Sequence, residues 1–288
     1  MRIAVASGKG GTGKTLIATS LALFVSEEET VTFLDCDVEE PDAALFLKPA
    51  LHHRKEASVP VPVVDEAACT RCGRCAEVCA FNAIAVLGEH VLTFPELCHG
   101  CGACAWACPE DAIREEDRAC GVVEWGRTGT IHFVHGRLTV GEAMPGPVIR
   151  AVKARAGDAA NVIIDAPPGT SCPVVEAVRG CDYCILVTEP TPFGLHDLKL
   201  AIATVGKLGI PCGVIINRAG ETDDLITEYL KEQQVPLLLT VPLDREIARR
   251  YARGITLAGG VPVWRDPFIR LYHTIEEAVG SRACHSQR

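Results

Sequence analysis

The chain has 288 residues, 48% of them hydrophobic and 23% charged: a globular composition with room for one large α/β domain and an insertion, or for two small domains. With 37 acidic against 28 basic residues the formal net charge is -9, which counts against a general nucleic-acid-binding surface. No basic segment and cleavage site open the sequence, so the expected compartment is the cytoplasm, where 15 cysteines read as metal ligands rather than disulfides.

In chain order, "RIAVAS" is an apolar run that ends at a glycine loop and predicts a buried strand feeding a helix. The helix, expected to begin near Lys14, carries "LIATSLALFV", too short an apolar run to span a bilayer. "TVTFLDCD" (30–37) predicts a second buried strand with two aspartates at its carboxyl end. Beyond "LFLKPALHHRK" the composition changes, and "SVPVPVV" (58–64) reads as a stiff linker into a cysteine-dense block at 69–108. "TIHFVHGRLTV" (130–140) suggests an antiparallel hairpin turning at His135-Gly136. "NVIID", "CILVTEP", "CGVIINR" and "PLLLTVP" then alternate with helical stretches near 172–179, 195–208, 223–233 and 244–253, with a last helix near 266–279. The expected fold is α/β: a mostly parallel sheet flanked by helices, with a small α+β domain inserted.

The loop "SGKGGTGKT" satisfies the phosphate-binding pattern G-x-x-x-x-G-K-[ST] through Gly8, Gly13, Lys14 and Thr15. Gly8, Gly10, Gly11 and Gly13 are expected to turn backbone N–H groups inward, with Thr12 and Leu16 completing the cradle and the helix dipole adding to the anion site. Lys14 is assigned to the β- and γ-phosphates and Thr15 to Mg²⁺. Asp165, ending "NVIID", is placed to order magnesium-bound water, and Gly169 to sense the γ-phosphate. Asp35 and Asp37 are candidates for polarising the attacking water. Asn217 in "IINRAG" sits at a strand end where its amide can meet a purine. A guanine site of the N-K-x-D type would want an aspartate at Gly220, so ATP is favoured over GTP.

KGGTGKT, LDCD, IIDAPPG and IINR resemble the deviant-Walker ATPases of the MinD/ParA/Mrp class, which also includes the nitrogenase iron protein. The resemblance spans nearly all the chain outside the cysteine block. It implies a homodimer with ATP, in which Lys9 reaches the partner subunit's phosphates. The nitrogenase iron protein carries a cluster-ligating cysteine shortly after the corresponding aspartate, which makes Cys172 a candidate redox or bridging ligand.

Within the block, "CTRCGRCAEVCAFNAI" and "CHGCGACAWACPEDAI" repeat C-x₂-C-x₂-C-x₃-C. This is the ferredoxin pattern for two [4Fe–4S] clusters in which the fourth cysteine of each run serves the other cluster. One cluster is assigned to Cys69, Cys72, Cys75 and Cys108, the other to Cys98, Cys101, Cys104 and Cys79. Zinc is the rival metal, but structural zinc takes two cysteines per knuckle. Pro109 follows Cys108 as the pattern expects, whereas Ala80 follows Cys79, which puts that turn's geometry in question. Cys181 and Cys184, Cys36 and Cys212 are assigned to the core.

The reading assigns 1–58 and 119–288 to the ATPase and 59–118 to the inserted ferredoxin-like domain. Its cofactors are ATP, Mg²⁺ and two [4Fe–4S] clusters. Its function is nucleotide-controlled electron transfer or metallocluster assembly on a redox or metallocluster partner, a paralogous ATPase among the candidates. An Mrp-like cluster carrier and a MinD/ParA-like positioning ATPase are the alternatives. Against positioning, "GSRACHSQR" offers no membrane-binding face and the net charge gives DNA binding no support.

Overall fold

The computed structural model describes residues 1–220, 224–259 and 262–285; the end of the "GSRACHSQR" segment, 286–288, lies outside them. The elements are β1 (Arg2–Ala6), α1 (Lys14–Val25), β2 (Val31–Asp35), α2 (Ala43–Leu47) and β3 (Ala50–Val64). The cysteine block contributes α3 (Arg74–Glu77), β4 (Ile84–Leu87), β5 (His90–Thr93) and α4 (Ala103–Trp106). Then come β6 (Ile113–Thr128), β7 (Ile131–Leu138), α5 (Gly146–Ala154), β8 (Val162–Asp165), α6 (Cys172–Val178), β9 (Tyr183–Thr188) and α7 (Pro192–Lys207). The chain closes with β10 (Cys212–Ala219), α8 (Asp224–Glu232), β11 (Leu237–Pro242), α9 (Arg245–Tyr251) and α10 (Arg265–His285). Among the described residues no helix is long and apolar enough to cross a membrane.

Nine strands form one sheet in the order β11-β10-β9-β1-β8-β2-β7-β6-β3. From β11 to β7 neighbouring strands run parallel; β6 is antiparallel to both β7 and β3. Both faces of the parallel part are covered, which is why its strands read as continuous apolar runs. Successive residues of β1 go to opposite sides: Ala4 and Ala6 join the layer under α5, α6 and α7, and Ile3 and Val5 join the layer under α1 and α10. In the second layer Phe33 and Phe133 stack at 5.9 Å. Because the strands are parallel, β1, β2, β8, β10 and β11 deliver their carboxyl ends to one edge.

Two expectations are corrected. "SVPVPVV" is no linker; it is the second half of β3, paired with β6 from Ala50↔Arg127 to Val64↔Ile113. Pro60 and Pro62 are tolerated because β3 is the edge strand, where a missing N–H breaks no second ladder. The hairpin turns at Gly129-Thr130, not at His135-Gly136, and Ile131–Leu138 is one uninterrupted strand. Gly136 is small for packing: a Cβ there would come within 2.8 Å of Val38, Val148 and Val152. Helix α5, between β7 and β8, carries Val148 and Val152 and was not anticipated from the sequence.

Gly121 of β6 pairs with Leu138, the last residue of β7, so residues 113–120 and their β3 partners project past the carboxyl edge of the parallel strands. Residues 65–112 form a small lobe at the end of this ribbon. The expected boundaries at 58/59 and 118/119 therefore fall inside continuous strands. The ribbon's root is clamped by Arg118, whose guanidinium is bidentate to Glu142 at 2.6 and 3.0 Å.

Candidate nucleotide site and cysteine lobe

The loop between β1 and α1 is shaped by contacts beyond itself. A Cβ on Gly8 would lie 2.3 Å from the Asp197 carbonyl, so Gly8 is needed for close approach to α7. Gly13 has φ +93°, and a Cβ there would meet the Asn217 amide at 2.3 Å. The Asn217 amide donates to the Thr12 carbonyl at 2.7 Å and its oxygen accepts the Arg218 N–H at 3.0 Å. Asn217 thus braces the loop from β10. The Gly169 N–H donates to the Ser7 carbonyl at 2.9 Å, tying the segment after β8 to the same loop.

Lys14 opens α1 and is buried. Three carboxylates gather at this edge: Asp35, Asp37 and Asp165. Asp35 and Asp165 are partners in register on adjacent strands. Asp35 is fully buried and accepts N–H groups from Asp37 at 3.2 Å and Ala43 at 3.1 Å, so it holds the turn after β2 rather than facing a water. Burial, and then the charge of Asp165, push its pKa well up. Asp37 is partly exposed; burial raises its pKa to about 6 against the pull of Lys14. Asp165 is raised to about 7, burial outweighing Thr15 and Lys14 beside it. Among the described residues neither Asp165 oxygen, nor the Thr12 hydroxyl, finds a partner in good hydrogen-bond geometry although all are buried, Thr15 being the group beside Asp165. Buried acceptors left unpaired beside Thr15 fit a hydrated Mg²⁺, which would satisfy them.

Lys9 lies at the mouth of the loop, its Nζ 3.2 Å from Glu189 just past β9. Arg218 binds the other oxygen of the same carboxylate. A cleft beside Gly11 and Gly13 is walled by Asn217, Pro242, Asp244, Ile247 and Tyr251. Apart from Asn217 and the glycines, none of these was singled out from the sequence. Their signal was "VPLD" at the end of the last parallel strand, the edge where open α/β sheets bind ligands.

In the lobe the sequence repeat becomes a structural repeat. Cys69 and Cys98 each accept a backbone N–H at 3.4 Å, from Arg71 and Gly100; Cys79 and Cys108 each accept one at 3.3 Å, from Ala83 and Ala112. Gly73 and Gly102 both cap their short helices with positive φ, 83° and 70°. Asn82 bonds back to Cys79 and Asp111 to Cys108 in the same turn, so Ala80 in place of proline leaves the geometry unchanged. Cys69, Cys72, Cys75 and Cys108 line one small cavity, and Cys79, Cys98, Cys101 and Cys104 another. Each cavity draws three thiols from one repeat and one from the other. Among the described residues, no three cysteine, histidine or acidic side chains converge on a single-ion site. A lone zinc needs its thiolates about 2.3 Å from one point, whereas a four-iron cluster keeps its thiolates apart by its own bulk. The donor set, its spacing and the N–H groups aimed at sulfur fit such clusters.

The remaining cysteines divide by burial. Cys36 and Cys184 are fully buried, and burial pushes both thiols well up; Cys181 is raised to about 11. These are core thiols, and Cys212 lies partly buried at the start of β10. Cys172 is exposed at the first position of α6.

Residues 3–257 match the family model for the CobQ/CobB/MinD/ParA nucleotide-binding domain. The chain belongs to this family. It is 32% identical over 283 residues to an uncharacterised protein, MJ0578, of Methanocaldococcus jannaschii, covering 97% of this chain and 98% of that one. A shorter stretch of 55 residues is 44% identical to the polyferredoxin protein MvhB of Methanothermus fervidus, covering 19% of this chain and 13% of that protein. Among solved structures, the septum site-determining protein MinD of Pyrococcus horikoshii, complexed with Mg-ADP, superposes with a TM-score of 0.60 at 20% identity, covering 97% of each chain. This family member thus has the P-loop nucleotide-binding fold of MinD, with the loop, Lys14 and Asp165 at the edge where such sheets take nucleotide.

Proposed function

We propose that this protein is an ATP-hydrolysing iron–sulfur protein in which the nucleotide state of a dimer controls electron transfer, or metallocluster assembly, on a partner. The observation that carries the reading is the pair of crossed four-thiol cavities on a ribbon projecting from the nucleotide edge. The stretch similar to a polyferredoxin adds to it.

In this reading Lys14 and the N–H groups of loop 8–13 bind the phosphates, and the adenine lies in the cleft walled by Pro242 and Tyr251. Thr15 and Asp165 would hold Mg²⁺, which neutralises charge between the β- and γ-phosphates. Asp37 orients the attacking water, Asp35 fixes the turn that carries Asp37, and Gly169 sits where a γ-phosphate is sensed. Lys9 exchanges Glu189 for a phosphate of the partner subunit when two loaded subunits meet. The two cysteine sets would hold [4Fe–4S] clusters, which supply one-electron redox chemistry.

Shared packing near the Asp37 turn and the ribbon supports a mechanical link between the two sites. Cys36 and Val38, flanking Asp37, share a buried cluster with Ala57, Cys120 and Val123 at the root of the ribbon. The Leu138 N–H donates to the Val38 carbonyl at 2.8 Å, and the Thr139 N–H to the Cys120 carbonyl at 3.0 Å. Movement of the Asp37 turn on loss of a γ-phosphate is therefore passed to the strands carrying the lobe. A coupling of about 1–3 kcal/mol corresponds to roughly 40–130 mV for a one-electron couple, at about 59 mV per tenfold change. The test is a pair of redox titrations of the reconstituted protein, with ADP and with a non-hydrolysable ATP analogue. Potentials and electron-transfer rates that do not change with nucleotide would refute the coupling and favour clusters carried as cargo.

A further inference from the structure

The basic run "LHHRK" and a cleft at the opposite end of the sheet play no part in that reading. The cleft, about 410 Å³, opens where β2 and β7 begin and β6 ends, away from the P-loop. That volume lies in the ordinary range for small-molecule sites. Its charged and titratable lining comes from four elements: His52 and His53 on β3, Arg127 on β6, His132 on β7, and Arg155 capping α5. No aspartate or glutamate lines it, in a chain with an excess of acids. Arg127 and Arg155 have no ion pair among the described residues, whereas eight other arginines do.

The two guanidinium groups are held rather than loose. Arg155 lies over the Trp125 indole, its guanidinium carbon 3.6 Å from the ring centroid, and His53 stacks on the same indole at 5.3 Å. Such stacking uses the face of a guanidinium and leaves its in-plane N–H donors for a ligand. Arg127 donates to His132 Nε2, and burial and this arginine both favour the neutral imidazole, which can accept. Uncompensated cations fixed around a cavity repel one another until an anion arrives. Donors coming from four directions surround a tetrahedral oxyanion better than they clip the one plane of a carboxylate.

We propose that this cleft binds a phosphate or phosphate monoester, held by Arg127 and Arg155 with the histidines around it. The test is calorimetry on the full chain with its P-loop already saturated by Mg-ADP, at constant ionic strength. Inorganic phosphate and phenyl phosphate are the probes and citrate the control, on wild type, Arg155→Gln and the double variant Arg127→Gln/Arg155→Gln. Each variant is checked for unaltered Mg-ADP affinity, because neither arginine lies near the nucleotide. The expected result is saturable phosphate binding, weakened about tenfold or more by the first substitution and abolished by the second. Tighter binding of phenyl phosphate than of phosphate would identify an ester as the natural occupant, and the reverse order the free ion. No binding at about 10 mM probe, equal binding by wild type and double variant, or binding of citrate alone would overturn the assignment.

Discussion

Replacing Asn217 with alanine separates two roles that one amide can play. In the structure it donates to the Thr12 carbonyl at 2.7 Å and accepts from the Arg218 N–H at 3.0 Å, and the residue is only 5% exposed. Truncation leaves a carbonyl and an N–H without partners, at about 1–3 kcal/mol for each buried group. The Thr12 carbonyl bond is buried but the Arg218 N–H is only part-buried, so we take a total of about 2–4 kcal/mol. At about 2–4 °C per kcal/mol for a chain this large, the Tm of the nucleotide-free protein should fall by roughly 5–15 °C. ADP affinity should fall with it, since the loop loses its brace. Differential scanning calorimetry and titration calorimetry on the same preparations give both numbers. A variant with unchanged Tm and weakened ADP binding would show that Asn217 contacts the base and does not hold the loop. Gly13→Ala should behave like the first outcome, because its Cβ would displace the same amide.

Lys14→Ala should lose ATP binding by calorimetry, whereas Lys9→Ala should bind ATP yet fail to dimerise with it in analytical ultracentrifugation; normal dimerisation would leave Lys9 as the surface partner of Glu189. Anaerobically reconstituted protein should hold about eight irons per chain, and Cys79→Ser about four. Adding Cys101→Ser to Cys79→Ser should cost no further cluster, while adding Cys72→Ser should remove the second; the opposite pattern would mean that each repeat keeps its own cluster. Asp165 supplies a pH signature in the nucleotide-free protein. With a folded pKa near 7 against 3.8 when unfolded, the native state keeps a proton that the unfolded chain has lost, so stability falls as pH rises between those values. The slope is at most about 1.4 kcal/mol per pH unit. Denaturant melts between pH 5 and 7 should show the fall in wild type and a shallower one in Asp165→Asn; identical slopes would remove Asp165 as its source.

Short-range spacing carried much of this protein in its sequence. Lys14 and Thr15 follow their glycines within one turn, and the cysteines of each repeat sit two or three residues apart, so the chemistry needs only local chain geometry. The parallel strands were legible because burial on both faces leaves uninterrupted apolar runs ending in "LDCD", "IID" and "IIN". What only the tertiary structure decided are contacts between residues far apart, which depend on register and packing. Prolines in "SVPVPVV" look the same in a linker and in an edge strand until β6 is seen beside it. Gly136 reads as a turn residue until Val38, Val148 and Val152 are found crowding its Cα. Asn217 against Thr12, Lys9 against Glu189, and the meeting of Arg127, His132 and Arg155 around one cleft leave no mark in local composition. Their partners lie from five to more than two hundred residues away, and each pair is brought together by a fold whose energy is collected over the whole sheet.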